Sequence, residues 1–200
     1  MDNNLVDIFK KYNAFLEGHF LLSSGLHSDK YLQCALVLQY PHLAEKVAMR
    51  LFEKIKEKSD IWEKVSVVVS PALGGIVIGQ EVARVIKTMT TKDVRAIFTE
   101  RDTTGNMVLR RGFSVSENDN VLIVEDVVTT GKSTKEVIGV ISATRAKILA
   151  TSSIFYRGKE DGKFEYPFFY ISKIDVNNYK PEECPLCKKN IPIVKPGSRK

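Results

Sequence analysis

The chain has 200 residues, of which 44% are hydrophobic, and this is enough for one domain with a sizeable core. Residues 1–11 lack the apolar stretch of a signal peptide, and no later apolar run approaches the ~20 residues that span a bilayer, which favours a cytosolic protein without a membrane segment. The formal charge of +6 fits an anionic small substrate, and the basic residues form no single stripe, so we expect no nucleic-acid partner.

Apolar residues recur at helical spacing over residues 5–16 and 42–58, which predicts two amphipathic helices. A β-branched run over 65–69 leads through the Gly-rich loop 70–75 into a third predicted helix over 76–87. Further on, the pattern predicts strands over 94–98, 121–124 and 148–155, and a helix over 133–144. Strands rich in Val and Ile that alternate with helices predict an α/β fold with a parallel sheet and right-handed crossovers.

Two polar segments interrupt this alternation. Residues 100–112 contain Gly105 and Asn106 between short apolar stretches, which predicts an exposed hairpin or a mobile loop. The tail from Tyr179 contains four prolines and is predicted to be irregular, with disorder over residues 195–200. We therefore expect a single domain over residues 1–200, with an N-terminal segment (1–40), an α/β core (60–178) and an irregular tail (179–200).

The three cysteines, Cys34, Cys184 and Cys187, are too few for a disulfide framework and fit a reducing compartment. Cys184 and Cys187 have C-x-x-C spacing, but a structural zinc site needs four ligands, and neither a second pair nor a nearby histidine is evident. We therefore predict no metal ligands in this chain, unless a partner subunit completes the pair. His19 and His27 are expected to be substrate-side or structural residues.

The most informative segment is residues 121–134, where an apolar strand ends in Glu125 and Asp126 and a hydroxyl-rich turn leads into a helix. Backbone N–H groups and hydroxyls of such a turn can surround a phosphate, while the helix N-terminus faces its charge. Adjacent acids can accept hydrogen bonds from ribose hydroxyls and stabilise an oxocarbenium-like state. The pattern indicates a site for a phosphorylated sugar activated at C1. A polar helix cap at Thr130 or Ser133 without a ligand is the alternative.

Gly131, Lys132 and Ser133 also match the end of the nucleoside-triphosphate loop G-x-x-x-x-G-K-[ST]. In that motif the first glycine would fall at Asp126. A carboxylate at this position would repel the phosphates and prevent close backbone approach, so the sequence argues against a triphosphate loop.

Residues 125–133, the signature segment, resemble the 5-phosphoribosyl pyrophosphate signature of the type I phosphoribosyltransferases. Residues 18–33 and the triplet Tyr156, Arg157 and Gly158 are similar to the base-side segments of the orotate phosphoribosyltransferases within that family. The resemblance covers about residues 16–188. It implies a parallel sheet flanked by helices, a small N-terminal hood over 1–40, and a homodimer with a shared active-site loop. The reaction implied is orotate plus 5-phosphoribosyl pyrophosphate giving orotidine 5'-phosphate and pyrophosphate, in pyrimidine biosynthesis.

The resemblance also implies roles for the matched residues. Glu125 and Asp126 would bind the ribose hydroxyls and act in catalysis, and Arg157 with Thr129 would bind orotate, whose carboxylate suits a guanidinium. Pyrophosphate would lie on Gly74 and Gly75, with Mg²⁺ between it and the ribose oxygens and few or no direct protein ligands. The signature segment supplies the remaining substrate-binding positions: Val127 and Val128, and, around the 5-phosphate, Thr129, Thr130, Gly131, Lys132 and Ser133.

The chain departs from the family at three places where many members carry Lys or His: near Ser23, at Gly74, and in residues 100–112, where the family has a mobile catalytic loop. We expect Arg101 to supply charge in that loop, with Arg110 or Arg111 as alternatives. Two other functions remain open. A transferase for another base would not need a carboxylate-binding Arg157, and a non-catalytic regulator that binds phosphoribosyl pyrophosphate and nucleic acid should show a clustered basic face.

Overall fold

The computed structural model describes residues 3–22, 24–158 and 164–196, and its main feature is a six-stranded sheet. The strand order is β5-β4-β3-β6-β7-β8, and every neighbouring pair is parallel except β4 and β5. The strands are β3 Val67–Pro71, β4 Arg95–Arg101, β5 Met107–Leu109, β6 Asn120–Val128, β7 Lys147–Tyr156 and β8 Phe168–Lys173. The predicted α/β class and parallel sheet are confirmed.

A smaller antiparallel sheet joins the two ends of the chain. It contains β1 Phe15–Leu21, β2 His27–Leu32 and β9 Asn178–Tyr179 in the order β1-β2-β9, and we call it the hood sheet. Beyond β9, the backbone of Val194 bonds to β1 twice, from Leu21 N–H to its oxygen at 2.9 Å and from its N–H to His19 O at 2.8 Å. Residues 178–196, which we call the C-terminal segment, therefore complete the hood sheet.

Helices cover both faces of the large sheet. They are α1 Asn3–Lys11, α2 Ala35–Leu38, α3 Pro41–Lys56, α4 Gly74–Thr90, α5 Lys132–Ser142 and α6 Pro185–Lys188, with 3₁₀ turns at Ile61–Glu63 and Pro181–Glu183. Strand residues alternate between the faces: Val68 and Leu122 pack with α1, α3 and α4, whereas Val69 and Ile123 pack with α5. No helix in the described residues is long and apolar enough to cross a membrane.

Several predicted boundaries differ from the structure. The helix predicted over 5–16 ends at Lys11, because Asn13 adopts a left-handed conformation (φ 54°) and turns the chain into β1. Strand β8 was missed, although its aromatic and β-branched residues carry the signal of a strand. The tail from Tyr179, predicted to be irregular, contains the end of β9, a 3₁₀ turn and α6. Of the segment predicted to be disordered, 197–200 lies outside the described residues.

Candidate active site

The three substrate-binding segments predicted from the sequence meet at one edge of the large sheet. Strands β3, β6 and β7 are consecutive neighbours, and the carboxyl ends of parallel strands lie on the same side. The loop to α4 follows β3, the signature segment spans the end of β6 and the turn to α5, and Arg157 follows β7. The chain moves from β3 outward to β4 in one direction and from β6 to β7 in the other, so this edge is a topological switch point, where α/β proteins bind ligands.

The loop after β3 lies against the acidic end of β6. A Cβ atom added to Gly74 would lie 2.7 Å from Asp126 Oδ2, and one added to Gly75 would lie 3.1 Å from the backbone oxygen of Val124. The carboxylate of Asp126 therefore occupies the space beside Gly74, the position at which other family members were expected to carry Lys. The peptide between Ala72 and Leu73 is cis, and Leu73 is 84% exposed.

Glu125 and Asp126 have different environments although they are adjacent. Glu125 is 8% exposed, and its burial, together with the negative charge of Asp126, raises the pKa of its carboxyl from 4.5 to about 9. Asp126 is half-buried, and its Oδ1 accepts a hydrogen bond from Val127 N–H at 2.8 Å. Glu125 is therefore protonated at neutral pH and can donate a hydrogen bond.

The turn after β6 forms a concave site beside these acids. A cavity is lined by Glu125 and by every residue from Val127 to Thr134. Gly131, with φ 74°, is the N-cap of α5, and the hydroxyl of Thr130, one of the two caps named in the alternative, accepts a hydrogen bond from Lys132 N–H at 3.4 Å. The first N–H groups of a helix have no intrahelical acceptor, and here they lie beside the cavity. The geometry suits a phosphate.

Gly131 is also required by packing. A Cβ atom at this position would lie 2.8 Å from the ring of Phe164, and its left-handed backbone disfavours other residues.

Arg157 is held next to the signature segment by its own backbone, whose N–H donates to Val128 O at 2.8 Å. Its side-chain Nε is buried and has no hydrogen-bond partner among the described residues. Burial lowers the pKa of the guanidinium, and the negative charge of Asp29 opposes this shift. A buried donor left without a partner costs about 1–3 kcal/mol, which an anionic ligand would offset.

The hood sheet approaches this site through β2, in a way that the sequence did not reveal. Asp29 interacts electrostatically with Arg157 and accepts hydrogen bonds from the backbone and side chain of Asn177, at 3.0 and 2.9 Å. Behind the acids lies Cys34, whose thiol pKa is raised by complete burial and by the charges of Asp126 and Glu125. The only sequence signal for Asp29 was its place within residues 18–33. Ser23 lies outside the described residues.

The histidines of the hood sheet lie elsewhere. Cys184 Sγ is 3.6 Å from His19 Nε2, and Cys187 Sγ is 3.3 Å from His27 Nδ1. The expectation that no histidine lies near the C-x-x-C pair is therefore wrong. Residues about 160 positions apart in sequence come together because β9 pairs with β2, and no local pattern indicates such a contact.

The segment predicted as a hairpin or mobile loop is a hairpin formed by β4 and β5, with Arg101 opposite Met107. Arg101 bonds to Gly105 O at 2.6 Å and to Glu136 Oε2 on α5 at 2.5 Å. Arg110 and Arg111 both pair with Glu100, at 3.6 and 2.9 Å. In this conformation the three candidate arginines thus pair with two acids of the chain, Glu136 and Glu100.

These features agree with the comparisons made with known proteins. The family model described as the phosphoribosyl transferase domain matches residues 38–187, which include the loop after β3, the signature segment and Arg157. The chain belongs to the phosphoribosyltransferase family.

Its relatives define the branch of that family. The orotate phosphoribosyltransferase of Caldicellulosiruptor bescii is 46% identical over 195 residues, covering 98% of this chain and 96% of the relative. That of Caldanaerobacter subterraneus subsp. tengcongensis is 47% identical over 198 residues, covering 98% and 97%. The chain is thus one of the orotate phosphoribosyltransferases. Among solved structures, the orotate phosphoribosyltransferase of Aeropyrum pernix has a TM-score of 0.67 at 21% identity, covering 85% of this chain and 93% of that one, which shows a shared fold.

Proposed function

We propose that this chain transfers the 5-phosphoribosyl group of 5-phosphoribosyl pyrophosphate to orotate, giving orotidine 5'-phosphate and pyrophosphate in pyrimidine biosynthesis. The observation that carries the choice of base is the buried, unpartnered Nε of Arg157 beside Val128. Orotate carries a carboxylate, and a guanidinium binds a carboxylate through two parallel hydrogen bonds. Uracil, adenine and hypoxanthine have no carboxylate and could not form this bidentate, charge-assisted pair.

The chemistry replaces one bond at C1 of the ribose with another. The C1–O bond to pyrophosphate breaks with its electron pair on the leaving oxygen, and N1 of the orotate ring forms the new bond to C1. Positive charge develops on the ribose in the transition state, and Asp126 stabilises it through a ribose hydroxyl, while the neutral Glu125 carboxyl binds a neighbouring hydroxyl and keeps it in place. The hydrogen on N1 leaves as a proton, which the departing pyrophosphate or solvent takes up, so the residues of the site position the reactants and need not act as the base.

The other residues would hold the phosphates. The turn from Thr129 to Ser133 surrounds the 5-phosphate with N–H groups and hydroxyls, and Lys132 adds positive charge. Gly74 and Gly75 have no side chains to keep the diphosphate away from the backbone of the loop.

The site fits Mg²⁺ held mainly by substrate oxygens. Within residues 3–22, 24–158 and 164–196, the acids at this edge do not form a group of three or more ligands, whereas Mg²⁺ keeps waters and takes phosphate oxygens readily. When bound, it neutralises charge on the departing pyrophosphate. Asp126, beside Gly74, lies between the places proposed for ribose and diphosphate, where its charge complements a substrate-bound cation.

The proposal includes a cytosolic homodimer in which the β4–β5 hairpin reaches a partner's site. Arg101 would then exchange Glu136 for the pyrophosphate. Both side chains of this ion pair are partly exposed, at 43% and 29%, and such pairs contribute only about 0–1 kcal/mol. The exchange therefore costs little.

The base is tested by mixing the protein with magnesium and phosphoribosyl pyrophosphate and following the loss of orotate absorbance, with uracil, hypoxanthine and adenine in parallel. We expect turnover of orotate alone. Arg157→Gln should raise the KM for orotate about 100-fold, because one charge-assisted pair is lost. Arg84→Gln, which removes a surface arginine paired with Glu81 on α4, is the matched control and should leave it unchanged. Turnover of another base would overturn the choice of substrate.

A further inference from the structure

Four potential metal ligands converge where the C-terminal segment meets the hood sheet. They are His19 on β1, His27 at the start of β2, and Cys184 and Cys187 at the two ends of the turn that contains α6. One ligand atom from each residue lies within 4.8 Å of the other three. Two of the three histidines and two of the three cysteines in the chain are thus gathered at a single point.

The separations between these atoms match a tetrahedral zinc site. Zinc bonds of about 2.3 Å to sulfur and about 2.0 Å to nitrogen give tetrahedral edges of about 3.6 Å between S and N, and about 3.3 Å between two nitrogens. In the structure, His19 Nε2 lies 3.6 Å from Cys184 Sγ and 3.7 Å from Cys187 Sγ. His27 Nδ1 lies 3.3 Å from Cys187 Sγ and 2.9 Å from His19 Nε2. These four separations lie within about 0.4 Å of the tetrahedral values, and all six are at most 4.8 Å.

The tautomer of His19 is fixed by a contact outside the cluster. Its Nδ1 lies 2.8 Å from the backbone oxygen of Ile191. A carbonyl oxygen only accepts, so Nδ1 carries the hydrogen, and in the neutral ring Nε2 keeps a lone pair. Metal-bound histidines commonly donate their second N–H to a carbonyl in this manner.

Hydrogen bonding alone does not account for the cluster. The lone pair of His19 Nε2 accepts one hydrogen well, yet His27 Nδ1 and both sulfurs approach this atom. A cation at the centre would instead use a lone pair from each group at once. His19, His27 and Cys184 are 3%, 8% and 0% exposed, so three of the four ligands are shielded from water.

Backbone pairing holds the two histidine ligands in place without a metal. His27 pairs with Leu21 on β1 and with Tyr179 on β9, and the N–H of Val194 donates to His19 O at 2.8 Å. The two histidines are therefore preorganised by the hood sheet, which favours tight binding.

We propose that His19, His27, Cys184 and Cys187 bind one Zn²⁺ that fastens the C-terminal segment to the hood sheet. A set of two sulfurs and two nitrogens in a tetrahedron is typical of zinc, and four protein ligands leave no open position, so the site is structural. Both cysteines bind as thiolates, and their protons pass to solvent. The hood carries Asp29 beside Arg157, so the metal stabilises the base side of the candidate active site without touching substrate.

The first measurement is the metal content of the full-length protein, purified without chelators, by inductively coupled plasma mass spectrometry. We expect about one zinc per chain. After exchange, Co²⁺ should give the visible bands of a tetrahedral site and thiolate-to-cobalt charge transfer. Protein that stays free of zinc after incubation with Zn²⁺ and gives no such cobalt spectrum would overturn the proposal. Stoichiometric iron would overturn the assignment to zinc.

Matched variants assign the ligands. Cys187→Ser and His27→Asn should lower zinc affinity by at least about 100-fold. The controls Cys34→Ser and His42→Asn change the cysteine and the histidine outside the cluster, and they should retain the metal. Cys187 is exposed, so its replacement leaves the core intact. A chelator should lower the Tm of the unmodified protein and leave that of Cys187→Ser unchanged. Undiminished zinc binding by Cys187→Ser would contradict the assignment.

Discussion

Replacing Glu125 by Gln should stabilise the protein at neutral pH while impairing the reaction. Folding raises the pKa of this carboxyl from 4.5 to about 9, because it is buried beside Asp126. At pH 7 the unfolded chain therefore carries a carboxylate where the folded chain carries a carboxyl group, so folding takes up a proton. Gln has nearly the same shape and needs no proton.

The magnitude follows from proton linkage. The stabilising contribution of Glu125 is fully present below pH 4.5, falls as the pH rises, and is lost once the pH passes about 9. Each pH unit in this window removes about 1.4 kcal/mol, so the loss at pH 7 is about 3 kcal/mol. Because pH 7 lies well below the folded pKa, this figure depends mainly on the unfolded value.

Urea unfolding at pH 5, 6, 7 and 8 measures the effect. The free energy of unfolding of Glu125→Gln should exceed that of the parent by less than about 1 kcal/mol at pH 5 and by about 3 kcal/mol at pH 7. The control Glu57→Gln removes an exposed carboxylate that pairs with Lys54. Its kcat/KM should match the parent, whereas that of Glu125→Gln should fall at least about tenfold. Parallel stability curves for the parent and Glu125→Gln would refute the reasoning.

Two further predictions concern the neighbours of these acids. Gly74→Ala should lower kcat about 10- to 100-fold, because its Cβ would displace the Asp126 carboxylate. The control is Gly139→Ala in α5, where a Cβ meets nothing within 4 Å. It should raise the unfolding free energy by up to about 1 kcal/mol and leave steady-state kinetics unchanged. Equal kinetics for both would contradict the contact. Arg101→Gln should lower kcat at least about tenfold. Glu136→Gln removes only the partner of Arg101 in this structure and should leave kcat unchanged. Equal losses of kcat in the two variants would show that the reaction depends on the ion pair and not on a contact of Arg101 with substrate.

The sequence predicted what depends on local pattern. Alternation of Val-rich strands with amphipathic helices predicted the parallel sheet, and the order of apolar strand, two acids, turn and helix predicted the strand, turn and helix that line the cavity after β6. Each element of the alternation is a short continuous segment, and the second signal is complete within residues 121–134. The separation of roles between Glu125 and Asp126 was not predicted, because it depends on how deeply each carboxyl is buried in the folded chain.

Contacts between distant segments were the part that the sequence did not reveal. The approach of Asp126 to Gly74 requires β3 and β6 to be neighbours, and the grouping of His19 with Cys184 requires β9 to pair with β2. Strand β9 has only two residues, too few for a periodic pattern. The prolines after it were correctly associated with breaks in regular structure, but each of Pro181 and Pro185 begins a helical turn.

The pairing of β1 and β2 with the C-terminal segment has a consequence for protein synthesis. The first hairpin leaves the ribosome long before Asn178 and Val194, the residues that complete its sheet. Until then, one edge of β2 is open to pairing with other chains. A polypeptide cut short after β8 would contain all six strands of the large sheet but would lack β9, so the edge of β2 would stay open. Such a product should aggregate and be degraded more readily than a chain that contains β9.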